Sequence, residues 1–141
     1  MAVSVVKKDN RYLLVRRREK EGNLHWQFPS GGVEKNESDD SASIRETFEE
    51  TGVVCKPLMK FGERNHPDFP VQLHYWLNEY VTGEAYIKDD DELDAVKWCS
   101  SKKILQLITS NLYDKIREWS RINRLQSNKL FLNSLKNKDV I

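Results

Sequence analysis

The 141-residue chain is poor in the residues that would build a disulfide-bonded or membrane-spanning protein. Only two cysteines occur, Cys55 and Cys99, so no disulfide framework is implied and reduced thiols are the simpler reading. No apolar run approaches the roughly 18 residues that cross a bilayer, and the N-terminus lacks a signal-peptide layout. A cytoplasmic protein with no membrane partner is expected. Neither sign of charge predominates: 23 Lys and Arg stand against 22 Asp and Glu, for a net charge of +1. That balance excludes a polyanion-binding protein whose affinity rests on bulk charge. No internal repeat is visible. What the chain does have is 38% apolar residues spread along most of its length, enough for one domain with a real core.

The most informative stretch runs from Gly31-Gly32 to Gly52-Val53. Its second half reads as a helix, with Ser38 as the expected N-cap and Asp39 and Asp40 in the first turn, at the positive end of the dipole. Gly52 supplies the left-handed residue that stops it. At about 100° per residue, Ser41, Ile44, Thr47, Phe48 and Thr51 share one side, and Arg45, Glu46, Glu49 and Glu50 the other. Carboxylates at i, i+3 and i+4 repel each other by roughly a few tenths of a kcal/mol per pair, and the single Arg45 does not balance three of them. A hard divalent ion such as Mg²⁺ or Mn²⁺ would, since it takes oxygen ligands and bridges phosphates. The plainer reading is a solvated acidic face. The preceding loop favours the ion: Gly31, Gly32 and Asn36 mark backbone needing positive φ or close approach, and Glu34 and Glu37 add carboxylates at its mouth.

Gly31, five residues, Glu37, seven residues, then Arg45-Glu46-Thr47-x-Glu49-Glu50-x-Gly52-Val53 resembles the complete Nudix box, eight fixed residues over 23 positions. Thr47 stands where the box usually has a larger aliphatic residue, and Asn36 where glycine is common. The resemblance implies an α/β (α+β) Nudix fold, a mixed sheet sandwiched between helices. It also implies metal-dependent hydrolysis of a nucleoside diphosphate-X linkage. On that reading Glu49, Glu50 and the Ser30 carbonyl hold Mg²⁺ (or Mn²⁺). Glu46 is the candidate general base or a further ligand. Glu92, six residues before Trp98, is a further metal ligand, with Asp91 as its rival. Arg45 orients the carboxylates by charge-assisted hydrogen bonds, and Glu34 and Glu37 support the loop.

Around the box the chain reads as short elements. Ala2–Val6 and Arg11–Arg17 are expected to form a hairpin about the turn 7–10. Arg16-Arg17-Arg18 is either the solvated end of that strand or a phosphate contact, with Arg16 the candidate. Glu19–His25 reads as a polar loop. Trp26-Gln27-Phe28-Pro29 leads into the box, and Pro29 excludes helix at Phe28. Trp26 is core, cleft wall or a surface for base stacking. A strand over Val53–Phe61 is expected to break at Pro57, and Gly62–Pro70 to form a stiff loop. Val71–Val81 should be a strand with Leu73, Tyr75 and Leu77 on one face and His74, Trp76 and Asn78 on the other. His66 and His74 read as structural. A charged loop over 88–94 precedes a strand, Ala95–Cys99. A helix capped by Ser100 and another over about 111–124 complete a domain of residues 1–125. The polar tail, 126–141, is a last helix, a homodimer contact or disorder.

Length and the segment Arg64-x-His66-Pro67 to Tyr75 resemble MutT-like enzymes that convert NTP or dNTP, including oxidised forms, to NMP and pyrophosphate. Trp26-Gln27-Phe28-Pro29 instead resembles dinucleoside polyphosphate and RNA 5′-end pyrophosphohydrolases. Nucleic acid is therefore expected as a partner only through an RNA 5′ end. Pro67 hints at ADP-ribose-type substrates. A non-catalytic nucleotide sensor is the alternative of another class, and a complete set of box carboxylates argues against it.

Overall fold

β1 (Ala2–Lys8) and β2 (Arg11–Arg18) form the expected hairpin, with Asp9 left-handed at φ 54° in the turn. They belong to a computed structural model that describes residues 1–18, 24–108 and 112–123. The remaining strands are β3 (Leu24–Gln27), β4 (Ser30–Gly31), β5 (Val54–Asn65), β6 (Gln72–Thr82) and β7 (Leu93–Ser100). They join one sheet in the order β3-β2-β1-β6-β5, with β4 beside β1 and β7 beside β2. The β1–β6 pairing is parallel and the others are antiparallel, so the sheet is mixed as expected.

Strand alternation sorts the two faces. Val3, Val5, Tyr12, Leu14, Leu73, Tyr75 and Leu77 point to one side. There they form the larger core with Ile104 of α2 (Ser101–Leu107) and Ile116 of α3 (residues 114–123). Trp119 of α3 closes this core edge-on to Tyr12 and Phe61, with ring centroids 5.3 and 5.4 Å away. Ser4, Val6 and Leu13 point the other way, toward α1 (Asp39–Thr51). The sheet is thus sandwiched between helices, and α1 carries the box. The tail 126–141, and with it the expected boundary near residue 125, lies outside the described residues, as does the segment 19–23.

Three expectations need correction. β5 does not stop at Pro57 or Phe61 but continues to Asn65, into the first part of the expected loop. It is the edge strand, where a missing N–H costs little, and its register shifts at Pro57/Met59 and Lys60/Gly62 absorb both breakers as bulges. His25 lies within β3, paired to Arg17, rather than in a loop. The helix faces are also turned. Glu50 is buried while Phe48 is 44% exposed, beneath the Lys88 ammonium 3.6 Å from its ring centroid.

The cause of that rotation is a polar layer under α1. The Thr47 and Ser4 hydroxyls are hydrogen-bonded at 2.7 Å, and the Asn78 amide donates to Ser4 Oγ at 2.8 Å and to Ser43 Oγ at 3.0 Å. All four residues are buried. A helix seated on hydroxyls and an amide escapes a reading that looks for apolar periodicity.

Candidate active site

The loop 32–38 and the acidic face of α1 are organised by Arg45. Its Nε and Nη2 bond both Glu37 oxygens at 2.8 and 3.0 Å, and Nη2 also donates to the Gly32 carbonyl at 2.9 Å. Nη1 reaches Glu46 at 2.8 Å and Glu49 at 3.1 Å. Glu37 in turn accepts the Glu34 N–H at 3.1 Å, and Asn36 is left-handed at φ 64°. One planar guanidinium therefore ties the loop to two of the helix carboxylates, as a bidentate fork can and an ammonium cannot. Ser38 stands at the N-cap, but its hydroxyl bonds Ser41 Oγ rather than a backbone N–H, and Gly52 closes the helix at φ 75°. Gly31 serves close approach: a Cβ there would lie 2.1 Å from Glu46 Cδ. Gly32 meets nothing within 4 Å and has no positive φ.

Glu50 sits on the inner side of this cluster. Its Oε1 accepts the Ser30 N–H at 3.4 Å and a short hydrogen bond from Arg17 Nη2. The same guanidinium donates to the Ser30 carbonyl at 3.1 Å and to Glu92 Oε2 at 2.7 Å. Glu92 is brought there because the 86–89 segment is tied to the end of α1: Tyr86 N–H bonds Thr51 O and Lys88 N–H bonds Glu50 O, each at 3.0 Å. Burial pushes Glu50 up to about 7, against the downward pull of Arg17 and the Ser30 N–H. Glu46 is also raised by burial, partly offset by Arg45. Arg17 was not singled out from its sequence neighbours. The signal available was period-2 alternation, which puts Arg16 and Arg17 on opposite faces. Which of the two faces α1 covers, the one shared by Leu13 and Arg17, was not legible.

The donor chemistry here fits a hard divalent cation: carboxylates from Glu46, Glu49, Glu50 and Glu92, and the Ser30 carbonyl. Glu50 Oε2 is buried and has no hydrogen-bond partner among the described residues, an orphan acceptor that a cation would satisfy. As placed, no three His, Cys, Asp or Glu side chains among the described residues converge on one point. The reason is visible in the contacts: Arg45 draws Glu46 and Glu49 to one side, and Arg17 draws Glu50 and Glu92 to the other.

Ser30 also lines a cavity of about 570 Å³ on the opposite face of the sheet, so the acidic cluster and the cavity meet at β4. Its walls include Trp26, Phe28, Tyr75 and Tyr113, with Arg64 Cζ 5.5 and 5.2 Å from the two tyrosine ring centroids. Arg16 stands apart from the cluster. It forms a two-bond pair with Asp94, at 2.8 and 3.1 Å, and lies over the Trp26 ring at 5.4 Å. His66 lines the cavity with Nδ1 accepting the Asp68 and Phe69 N–H groups. His74 lies across the sheet, between Asp39 and Glu63.

A mixed-sheet sandwich whose loop-helix unit gathers carboxylates beside an aromatic cavity defines a class, the hydrolases of nucleotide phosphoanhydrides. The NUDIX domain model matches residues 1–120, and the chain belongs to that family, whose members are pyrophosphohydrolases that generally use divalent metal ions. It is 28% identical over 117 residues to a putative 8-oxo-dGTP diphosphatase of Bacillus subtilis, covering 83% of this chain and 76% of that one. It is 31% identical over 93 residues to the asymmetrical bis(5'-nucleosyl)-tetraphosphatase of Rattus norvegicus, covering 62% and 63%. The crystal structure of a MutT protein from Methanosarcina mazei superposes with a TM-score of 0.67 at 25% identity, over 86% of this chain and 92% of that one. Among the described residues, no helix is long and apolar enough to cross a membrane.

Proposed function

We propose that this pyrophosphohydrolase converts a nucleoside or deoxynucleoside triphosphate, oxidised forms included, to the monophosphate and pyrophosphate. The observation that carries the reading is the junction at Ser30 between one aromatic cavity and one carboxylate cluster. A base stacked among Trp26, Phe28 and Tyr75 would send its phosphates over Ser30-Gly31-Gly32 toward Glu46, Glu49 and Glu50. The 8-oxo-dGTP diphosphatase likeness supports the same substrate class.

In this mechanism Glu49, Glu50, Glu92 and the Ser30 carbonyl would hold Mg²⁺ (or Mn²⁺). The ion, when bound, supplies neutralisation of the phosphoanhydride oxygens. Glu46 accepts the proton of the attacking water, a role that its burial-raised basicity suits. Arg45 holds Glu46 and Glu49 in register and is a positioning residue. Arg16 and Trp26, stacked on each other, form the outer wall next to the base. A cytoplasmic setting accords with two buried, unpaired cysteines.

A second reading is hydrolysis of a dinucleoside polyphosphate or an RNA 5′ end. Phe69, 65% exposed at the cavity's edge, supports it by offering a second stacking surface beside His66, ring centroids 4.9 Å apart. Product analysis separates the two readings. NTPs, dNTPs, 8-oxo-dGTP, ADP-ribose, diadenosine tetraphosphate and 5′-triphosphate RNA would be incubated with Mg²⁺ or Mn²⁺, with Glu49→Gln as control. Monophosphate plus pyrophosphate from a triphosphate upholds the first reading, and ATP from the dinucleotide or preferential RNA-end cleavage replaces it. Nucleotide bound without turnover would mean a sensor.

A further inference from the structure

Three of the four groups assigned to the cation are held by one side chain. Arg17 donates at once to Glu50, the Ser30 carbonyl and Glu92. A guanidinium hydrogen bond and a metal ligand bond draw on the same oxygen lone pairs, and two cations on one buried carboxylate repel each other. We propose that Arg17 is an internal competitor of the divalent cation, so that the ion binds only when the guanidinium gives up Glu50 and the Ser30 carbonyl. The proposal rests on the assignment of those two groups as ion ligands.

The burial pattern says which partner yields. The Glu50 side chain is 3% exposed and fixed in the helix, Arg17 is 19% exposed, and Glu92 is 64% exposed. Glu50 has no room to follow a departing partner. Arg17 can swing out toward solvent, leaving Glu50, the Ser30 carbonyl and Glu92 free to face the ion. The guanidinium thus has two functions in sequence. It neutralises a deeply buried carboxylate, which unpaired would carry a large desolvation cost, and it sets the threshold of cation concentration at which the site loads. Arg16, one residue away, has no such role because its fork is taken up by Asp94.

Manganese titration of the full chain, without nucleotide and followed by calorimetry, tests this directly. Arg17→Met should bind Mn²⁺ roughly tenfold more tightly than the wild type, the factor lost by a site that a competitor holds about nine-tenths of the time. The metal-free variant should melt at a lower temperature than the wild type, and saturating Mn²⁺ should raise its midpoint further. Arg17→Lys keeps the charge but not the fork, and it too should bind Mn²⁺ more tightly than the wild type. Unchanged Mn²⁺ affinity in Arg17→Met overturns the proposal. So does wild-type affinity in Arg17→Lys, because the arginine would then act only as a nearby charge. If Glu50→Gln binds Mn²⁺ as the wild type does, it is the ligand assignment that fails, a distinguishable result.

Discussion

Asp39 and Glu50 stand at opposite ends of α1 and have opposite fates. Asp39 accepts the Trp76 indole N–H at 2.9 Å and the Lys60 ammonium at 2.7 Å. Burial alone would raise it, but Lys60 and Trp76 outweigh burial and hold it down at about 2. Glu50 has one guanidinium, shared with two other acceptors, and one oxygen with no hydrogen-bond partner among the described residues, and its basicity rises instead. Both are carboxylates on one helix against one sheet. The difference is the supply of local donors: a satisfied acid is a structural part, and an under-neutralised one is a place for a cation.

If that contrast is right, the largest effect belongs to the under-neutralised end. Glu49→Gln should lower kcat by at least about a thousandfold, roughly 4 kcal/mol of transition-state stabilisation, with an unchanged melting temperature. Steady-state kinetics beside a thermal melt check this, and retained turnover would break the comparison. Gly31→Ala sharpens it. The three atoms nearest the new Cβ are all at the flexible end of Glu46, so the fold should tolerate it while turnover falls roughly 10- to 100-fold, because Glu46 is displaced from its position against Arg45.

The satisfied end should respond in stability and not in turnover. Asp39 has a folded pKa near 2, below its ordinary 3.8, so its contribution is full above about pH 4 and is lost as pH falls toward 2. Asp39→Asn should remove about 1–2 kcal/mol at neutral pH and flatten urea-derived stability across that acidic window. Loss of turnover without loss of stability would reverse its assignment. The smallest effect lies beneath the helix. Thr47→Val should cost about 1 kcal/mol by chemical denaturation, since Ser4 loses a hydrogen-bond partner while volume is kept.

Much of this was legible in the sequence where backbone chemistry is local. Asn36 and Gly52 take up the left-handed conformations their residue types suggest. The alternation in β6 correctly separates Leu73, Tyr75 and Leu77 from His74, Trp76 and Asn78. Glu92, singled out through the family resemblance, shares the Arg17 guanidinium with Ser30 and Glu50. What was not legible depends on partners distant in the chain. Glu50 is inward because Ser4 and Asn78 accept a hydroxyl-lined helix, which no periodicity of apolar residues announces. Pro57 fits in β5 because that strand has a free edge, a fact of topology. Arg17 rather than Arg16 meets the acids because α1 covers the face of β2 that Leu13 and Arg17 share, which is again a fact of topology.

The polar layer beneath α1 has a mechanical consequence. A helix resting on methyl groups can roll about its axis with little change in contact energy, whereas directional bonds from Ser4 and Asn78 key this one at a single angle. The aim of Glu46, Glu49 and Glu50 is therefore set by the teeth beneath the helix.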